Sequence, residues 1–350
     1  VAAARTDANG SFTLTGVPSG AAIPVVAQLG KWRRATYVNV ATDCSVNKVT
    51  DGTVRLPRSR SEGDMPQMAL LTGGCEDLGC FLLNLGIDSG EFSAPHAGGR
   101  LDIYQGNSMP TGSGSTPAAG LTGGTAGDCT TSSCPLWASK AALEYYDLVA
   151  FSCECAENTA TKPAAAMTAL HDWLGEGGRV LADHYQYVWF KNNPATEFQT
   201  IATWLGTSIA GGSGAYAVDT SFTKGHDFGQ WLQGEGLVAD AGAPQISLIS
   251  VATSVSTVST GAKAWIKDSA NANAAKFLSF PTPVGGLCGQ VAFSDVHATG
   301  GLLASAGAVP GGCTAGDLTS QEKAMEFLFF NLSGCVSSDS QAPPGPPPSQ

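Results

Sequence analysis

Residues 147 to 183 restrict the fold more than any other part of the sequence. An apolar run over 147–152 is followed by a segment in which Pro163 suits a first helical turn. Met167, Leu170, Trp173 and Leu174 then recur on one face at helical spacing. The glycines at 175, 177 and 178 stop that helix, and 179–183 reads as a second buried strand. Alternation of strand, helix and strand at this length predicts right-handed βαβ units and a parallel sheet covered by helices. Further strands are expected over 67–72, 100–104, 246–251, 264–266, 276–280 and 290–294, with helices over 78–85 and 136–145. A closing helix carries a capping box, Thr319 with Glu322, and turns Met325, Leu328, Phe329 and Leu332 inward.

Outside this α/β body the chain changes character. Residues 1–57 read as β: Asp7-Ala8-Asn9-Gly10 is a turn signal, Ser11-Phe12-Thr13-Leu14 alternates as a half-buried strand does, and 23–29 and 35–40 supply two more strands. A polar linker over 58–65 leads into the body, which runs over 66–336. Residues 106–128 form a Gly/Thr/Ser-rich insertion expected to be a surface loop. The Pro-rich tail 337–350 reads as a linker, and further domains of the same polypeptide are expected beyond both ends.

Only 13% of the 350 residues are charged and the net charge is −11. Nucleic-acid and anionic-membrane binding both need clustered Lys and Arg, and the basic knots at 31–34 and 55–60 are too short for either. No stretch approaches the twenty apolar residues of a membrane span. The ten cysteines include several in Gly/Ser/Thr-rich loops, where disulfides in an oxidising, extracellular or cell-surface location are the economical reading. Cys75 with Cys80 and Cys129 with Cys134 can close short loops, and Cys288 with Cys313 a longer one. The connectivity stays open, and the two C-x4-C pairs could instead donate four thiolates to zinc. Cys153 and Cys155 are expected to take separate partners rather than each other.

Ligands of parallel sheets bind beyond the carboxyl ends of the strands. Three such ends carry polar residues that a buried sheet does not need: Glu154 after the first strand of the unit, His184 after the second, and Asp295 with His297 after the strand at 290–294. Together they are candidates for an acid/base set. No motif demands a cofactor, although these are also donor types for a divalent metal. Tyr185, Tyr187 and Trp189 follow His184 and could stack on a sugar or form an apolar floor beneath the loop. There is no G-x-S-x-G elbow, phosphate-binding loop, dinucleotide fingerprint or H-E-x-x-H.

Two stretches carry family resemblances. The run Thr6-Asp7-Ala8-Asn9-Gly10-Ser11-Phe12-Thr13-Leu14, followed by Val17-Pro18-Ser19-Gly20, resembles the carboxypeptidase regulatory-like (transthyretin-like) β-sandwich. That likeness implies a non-catalytic module whose first strands lie upstream of Val1. Glu176-Gly-Gly-Arg-Val-Leu-Ala-Asp-His184 and Gly289-Gln-Val-Ala-Phe-Ser-Asp-Val-His297 look like the ThuA-like branch of the class I glutamine amidotransferase-like superfamily. The likeness implies a three-layer, flavodoxin-like α/β domain with His184 where amidotransferases carry their elbow cysteine. Glutamine hydrolysis is therefore not implied, because the nucleophilic thiol is replaced. The association of ThuA-like proteins with sugar metabolism makes carbohydrate the implied ligand. Three readings follow: a secreted or surface binding protein with a catalytically degenerate domain, directed to a glycan or another envelope component; an extracellular carbohydrate-active hydrolase using His184, His297, Asp295 and Glu154; or a structural subunit of a surface assembly.

Overall fold

The computed structural model describes residues 2–76, 78–106, 116–117, 136–210, 212–270, 274–298, 309, 312–313, 316–334 and 336–341. An antiparallel hairpin, β1 (Gly20–Leu29) and β2 (Trp32–Val40), precedes the body. The first half of the body contains β3 (Met68–Leu71), α1 (Leu78–Asn84), β4 (Phe92–Ser93), β5 (Leu101–Gln105), β6 (Thr116–Pro117), α2 (Lys140–Leu143), β7 (Leu148–Phe151), α3 (Ala164–Gly175) and β8 (Arg179–Asp183). Two short helices follow, α4 (Val188–Lys191) and α5 (Thr196–Thr200), then β9 (Ala202–Ala210), β10 (Gly214–Val218) and α6 (Thr223–Gly234). The chain continues through β11 (Gln245–Leu248), β12 (Ala252–Val258), β13 (Lys263–Lys267), β14 (Ala275–Thr282) and β15 (Gly289–Ser294) to α7 (Ser320–Ser333).

The central sheet runs β11-β10-β13-β14-β15-β8-β7-β3-β5-β4, with β6 also on β5. From β15 to β4 every pairing is parallel, whereas β11, β10, β13 and β14 extend the sheet as an antiparallel wing. The protein is thus an α/β domain with a mixed sheet and a small antiparallel β fragment. The parallel strands β3 and β7 are buried at every position, as strands covered on both faces must be. One face packs against α1, α6 and α7 through Phe81, Phe228 and Met325, and the other against α3 and α4 through Met167, Leu170 and Trp189. Beside the main sheet, β9 and β12 form a separate two-stranded ribbon that the apolar pattern did not announce.

Local chemistry explains where the βαβ unit turns. Pro163 sits at the N-cap of α3, and Met167, Leu170, Trp173 and Leu174 are all buried. A Cβ at Gly178 would come within 2.4 Å of the Trp173 indole, so the glycine lets β8 start directly beneath the helix it follows. The Thr319–Glu322 capping box forms at the start of α7.

The N-terminal reading needs one correction. The turn at Asp7–Gly10 forms, with Asp7 Oδ1 accepting from the Asn9 and Ser11 N–H groups at 2.9 Å. Ser11 to Leu14, however, lie outside regular structure, because no neighbouring strand offers them a ladder. The hairpin itself is anchored to the body. Trp32 is buried edge-on against Phe330 at 6.2 Å, and the Arg33 and Asp64 backbones exchange hydrogen bonds of 3.0 and 2.8 Å. The linker is held as well: Arg55 makes a two-pronged ion pair with Glu62 at 2.7 and 2.6 Å. The insertion at 106–128 falls mostly outside the described residues.

The cysteines pair differently from the short-loop expectation. Cys75 is bonded to Cys155 and Cys80 to Cys313, while Cys288 is an exposed free thiol. Cys75 lies in the loop after β3 and Cys155 in the loop after β7. Those strands pair in parallel, which brings the loops side by side. Cys80 belongs to α1 and so faces the segment leading into α7. With Cys75 and Cys80 crosslinked, neither can supply a thiolate to zinc. Cys129 and Cys134 lie outside the described residues.

The Cys80–Cys313 bond joins residues 233 apart in sequence. Replacing both by Ser is expected to cost about 2–5 kcal/mol of stability. Guanidinium unfolding should show a lower midpoint with a somewhat steeper slope, because the uncrosslinked chain unfolds to a more expanded state; an unchanged midpoint would mean that the crosslink contributes nothing.

Candidate metal centre

Three adjacent parallel strand ends build the site. Strand β7 runs on to Cys153, β8 ends at Asp183 and hands over to His184, and β15 leads through Asp295 and Val296 to His297. His184 takes a positive φ of 46° at the start of a 3-10 turn spanning His184–Tyr187, a tight elbow that lifts its ring away from the strand axis. Its Nδ1 lies 3.3 Å from Cys153 Sγ and 2.8 Å from His297 Nε2. The three donor atoms all fall within 4.8 Å of one another.

Each member is fixed from behind. Cys153 is fully buried, and its carbonyl accepts from the Cys75 N–H, so the Cys75–Cys155 disulfide clamps the loop that carries it. A Cβ at Gly73 would stand 2.1 Å from that same carbonyl, which is why the β3 loop needs glycine there. The His297 carbonyl accepts from Gln321 Nε2 at the first turn of α7, and Ser294 Oγ bonds both the N–H and the carbonyl of Val296.

The electrostatics are set by burial. His184 is pushed down to about 3, by desolvation and then by His297, and His297 down to about 4 by desolvation. Both imidazoles are therefore neutral across the physiological range. The Cys153 thiol is pushed well up by burial and by the Asp183 charge, against the pull of backbone N–H groups of Cys155 and Tyr185 directed at its sulfur. Asp183 has no exposed surface, and neither carboxylate oxygen has a hydrogen-bond partner among the described residues. Its Oδ2 stands 4.0 Å from His297 Nε2. Burial, Glu76 and Asp295 all raise its affinity for a proton.

Of the residues singled out in the sequence, His184 and His297 meet, and Glu154 and Asp295 do not join them. Glu154 is fully buried in an ion pair with Lys162 at 2.6 Å and also accepts from Gln186 Nε2, so it holds the loop after β7 rather than serving the pair. Asp295 accepts from the Ser254 N–H at 2.6 Å and secures β12, and burial lifts it to about 6. Tyr187 and Trp189 have no exposed surface: Trp189 stacks on Phe151 and Tyr187 bonds Glu157. They are floor, not ligand contacts, because a stacking platform needs an open face. Tyr185 alone keeps partial exposure, with its ring centroid 4.4 Å from that of His184. His171 pairs with Asp172 and Glu197, and His96 packs on Tyr145, both outside the cluster.

The residues missed were Cys153 and Asp183. Strict alternation sends Cys153 and Cys155 to one side, but Cys155 adopts a φ of 64° that breaks the alternation. One sulfur therefore goes to Cys75 and the other to the histidines. The signal for Asp183 was its place at the end of a strand directly after the buried apolar run Val180 to Ala182.

No family model and no curated protein matches the chain. Among solved structures, a cytoplasmic protein from Salmonella typhimurium is similar over 65% of this chain and 86% of its own, at 11% identity and a TM-score of 0.35.

The buried imidazoles make stability depend on pH. Unfolded imidazoles take a proton near pH 6.5, whereas the folded pair stays neutral down to about 4 and about 3. The unfolded chain binds more protons in that window, so stability falls as pH drops from 6.5, by up to about 2.7 kcal/mol per pH unit for two sites. Urea unfolding of His184→Gln/His297→Gln should show a flatter profile between pH 6 and 4; a profile as steep as that of the parent would assign the dependence to other groups.

Proposed function

We propose that the α/β body is a metal-dependent hydrolytic domain, with Cys153, His184 and His297 as the protein ligands of a zinc-class dication. The observation that carries this reading is the convergence of one thiol and two neutral imidazoles at adjoining strand ends. The donor set suits the ion: imidazole and thiolate nitrogen and sulfur donors are those that zinc prefers, and three protein ligands leave a coordination position for water or substrate. The surroundings fit too. Backbone N–H groups on a sulfur stabilise a thiolate, and the buried Asp183 beside His297, which has no hydrogen-bond partner among the described residues and holds its proton in the absence of an ion, would ionise beside a dication and offset part of its charge. Without a cation, a weakly acidic thiol and two weakly basic imidazoles make poor acid/base catalysts at neutral pH.

A dication held here would polarise a bound water or carbonyl. Cys153, His184 and His297 would fix its position, and the Asp183 carboxylate, 4.0 Å from His297 Nε2, would lie close enough to balance charge and accept a proton. Two disulfides favour an oxidising, extracellular or surface location, and no helix among the described residues is long and apolar enough to cross a membrane. Carbohydrate remains the substrate class that the family resemblance suggests, with Tyr185 as the one partly exposed ring beside the cluster.

Calorimetric titration of the metal-free protein with Zn²⁺ is expected to give one site per chain. Cys153→Ser, His184→Ala and His297→Ala should each abolish it, and Asp183→Asn should weaken it about 10–100-fold. Turnover of a polysaccharide panel should be zinc-dependent in the parent and absent from the ligand variants. Zinc uptake without any turnover would leave a metal-dependent binding module, and equal zinc content in parent and variants would overturn the centre itself.

A further inference from the structure

The sulfur of the cluster lies beside a reducible bond. Cys153 has no exposed surface, whereas Cys75 and Cys155, joined to each other, are both half-buried and so within reach of a small reagent in solution. Their bond spans the two loops that hold the Cys153 sulfur in place. From the β3 side, the Cys75 N–H donates to the Cys153 carbonyl at 3.1 Å, and Gly73 packs against the same carbonyl. From the β7 side, Cys155 turns its own N–H onto the Cys153 sulfur, where the Tyr185 N–H joins it.

A left-handed backbone aims both of those N–H groups. Tyr185 follows His184, at a φ of 46°, and Cys155 itself sits at 64°. A residue with a side chain leaves that region unless its surroundings hold it there. The neighbours of Cys155 are held independently. Glu154 is fixed by Lys162 at 2.6 Å and by Gln186 at 3.2 Å, and the Glu157 carbonyl accepts from Lys162 at 3.1 Å. Cys155 is held through its side chain by the disulfide. Opening that bond frees one residue to turn, and the N–H that turns away is a donor to the sulfur.

We infer that the Cys75–Cys155 disulfide is a redox latch on the metal centre, holding Cys155 in the conformation in which Cys153 binds a zinc-class ion tightly. This inference rests on the metal reading above and adds its regulation. A dithiol reagent opens the latch in two steps: its first thiolate attacks one sulfur of the bond, and its second resolves the mixed disulfide. Two electrons pass from the reagent, leaving two cysteine thiols and one reagent disulfide. Cys155 then relaxes to negative φ, the Cys153 sulfur loses a hydrogen-bond donor, and the ion is held more weakly. The centre is thereby tied to oxidising surroundings, loaded where the bond stands and weakened where thiols keep it open.

Calorimetric titration of the full chain with Zn²⁺, oxidised and after dithiothreitol treatment and anaerobic desalting, reads the latch, with peptide mass spectrometry reporting which bonds have opened. The oxidised protein should bind zinc about tenfold more tightly than the reduced one. Cys80→Ser/Cys313→Ser should show the same drop, which assigns it to the Cys75–Cys155 bond. Cys75→Ser/Cys155→Ala should match the reduced protein in either redox state. Cys75→Ser/Cys155→Gly, which reaches positive φ without a crosslink, should recover most of the lost affinity. Equal or tighter binding after reduction, or equal affinity in the Ala and Gly variants, would overturn the latch and leave the metal centre standing. Absence of zinc uptake by the oxidised parent would overturn both. The comparison of oxidised with reduced parent keeps the test decisive if a double variant fails to fold.

Discussion

Strand β8 lies between β7 and β15 in parallel register with both, pairing Ala150 with Leu181 on one side and Ser294 with Asp183 on the other. Because all three strands run the same way, their carboxyl ends emerge together. Whatever follows each strand is delivered to one place. Cys153 and His184 are 31 residues apart in the chain and His184 and His297 are 113 apart, and strand register makes them neighbours. The flanking devices serve that register. Gly178 lets β8 begin tight against α3, the Cys75–Cys155 bond ties the loops after β3 and β7, and Gln321 holds the His297 turn to α7.

Burial then decides the chemistry of what has been gathered. An imidazole with little access to water resists protonation, and a thiol in the same place resists ionisation. The cluster is thus kept as two lone-pair donors and one thiol, the state from which the proposed metal capture would proceed with release of the sulfur proton. Beneath it, Glu76, Asp183 and Asp295 are all fully buried. Burial first, and then the charges of Glu76 and Asp295, raise the proton affinity of Asp183, because the apolar layers around it cannot solvate a carboxylate.

Much of the fold was legible because it rests on local rules. The helix face of Met167, Leu170, Trp173 and Leu174, the glycine stop, the capping box of Thr319 and Glu322 and the strand ends bearing His184 and His297 all follow from spacing and residue type. The failures have equally physical causes. Glu154 looked available until Lys162, eight residues on, was found folded back onto it. For Tyr187 and Trp189 the sequence left a stacking surface and an apolar floor both open, and a turn that begins with a left-handed residue rotates them into the floor. The Cys75–Cys155 bond crosses between loops that parallel pairing brings together and Cys80–Cys313 ties helix α1 to a residue before α7, so loop closure within a short segment was a misleading guide.

By itself the sequence determined the β7–α3–β8 unit, the closing helix α7 and the strand ends where chemistry belongs, since these depend on periodicity, capping and glycine-bounded runs. It also determined that the two histidines follow buried strands. Only the tertiary structure decided that the third partner is Cys153 rather than Glu154 or Asp295. That choice depends on the φ of Cys155, which sends one sulfur to Cys75 and leaves the other to the histidines. It depends also on Lys162 and Ser254 claiming the two carboxylates first. Backbone handedness at one residue and competition for hydrogen bonds across distant segments are not encoded in any local pattern.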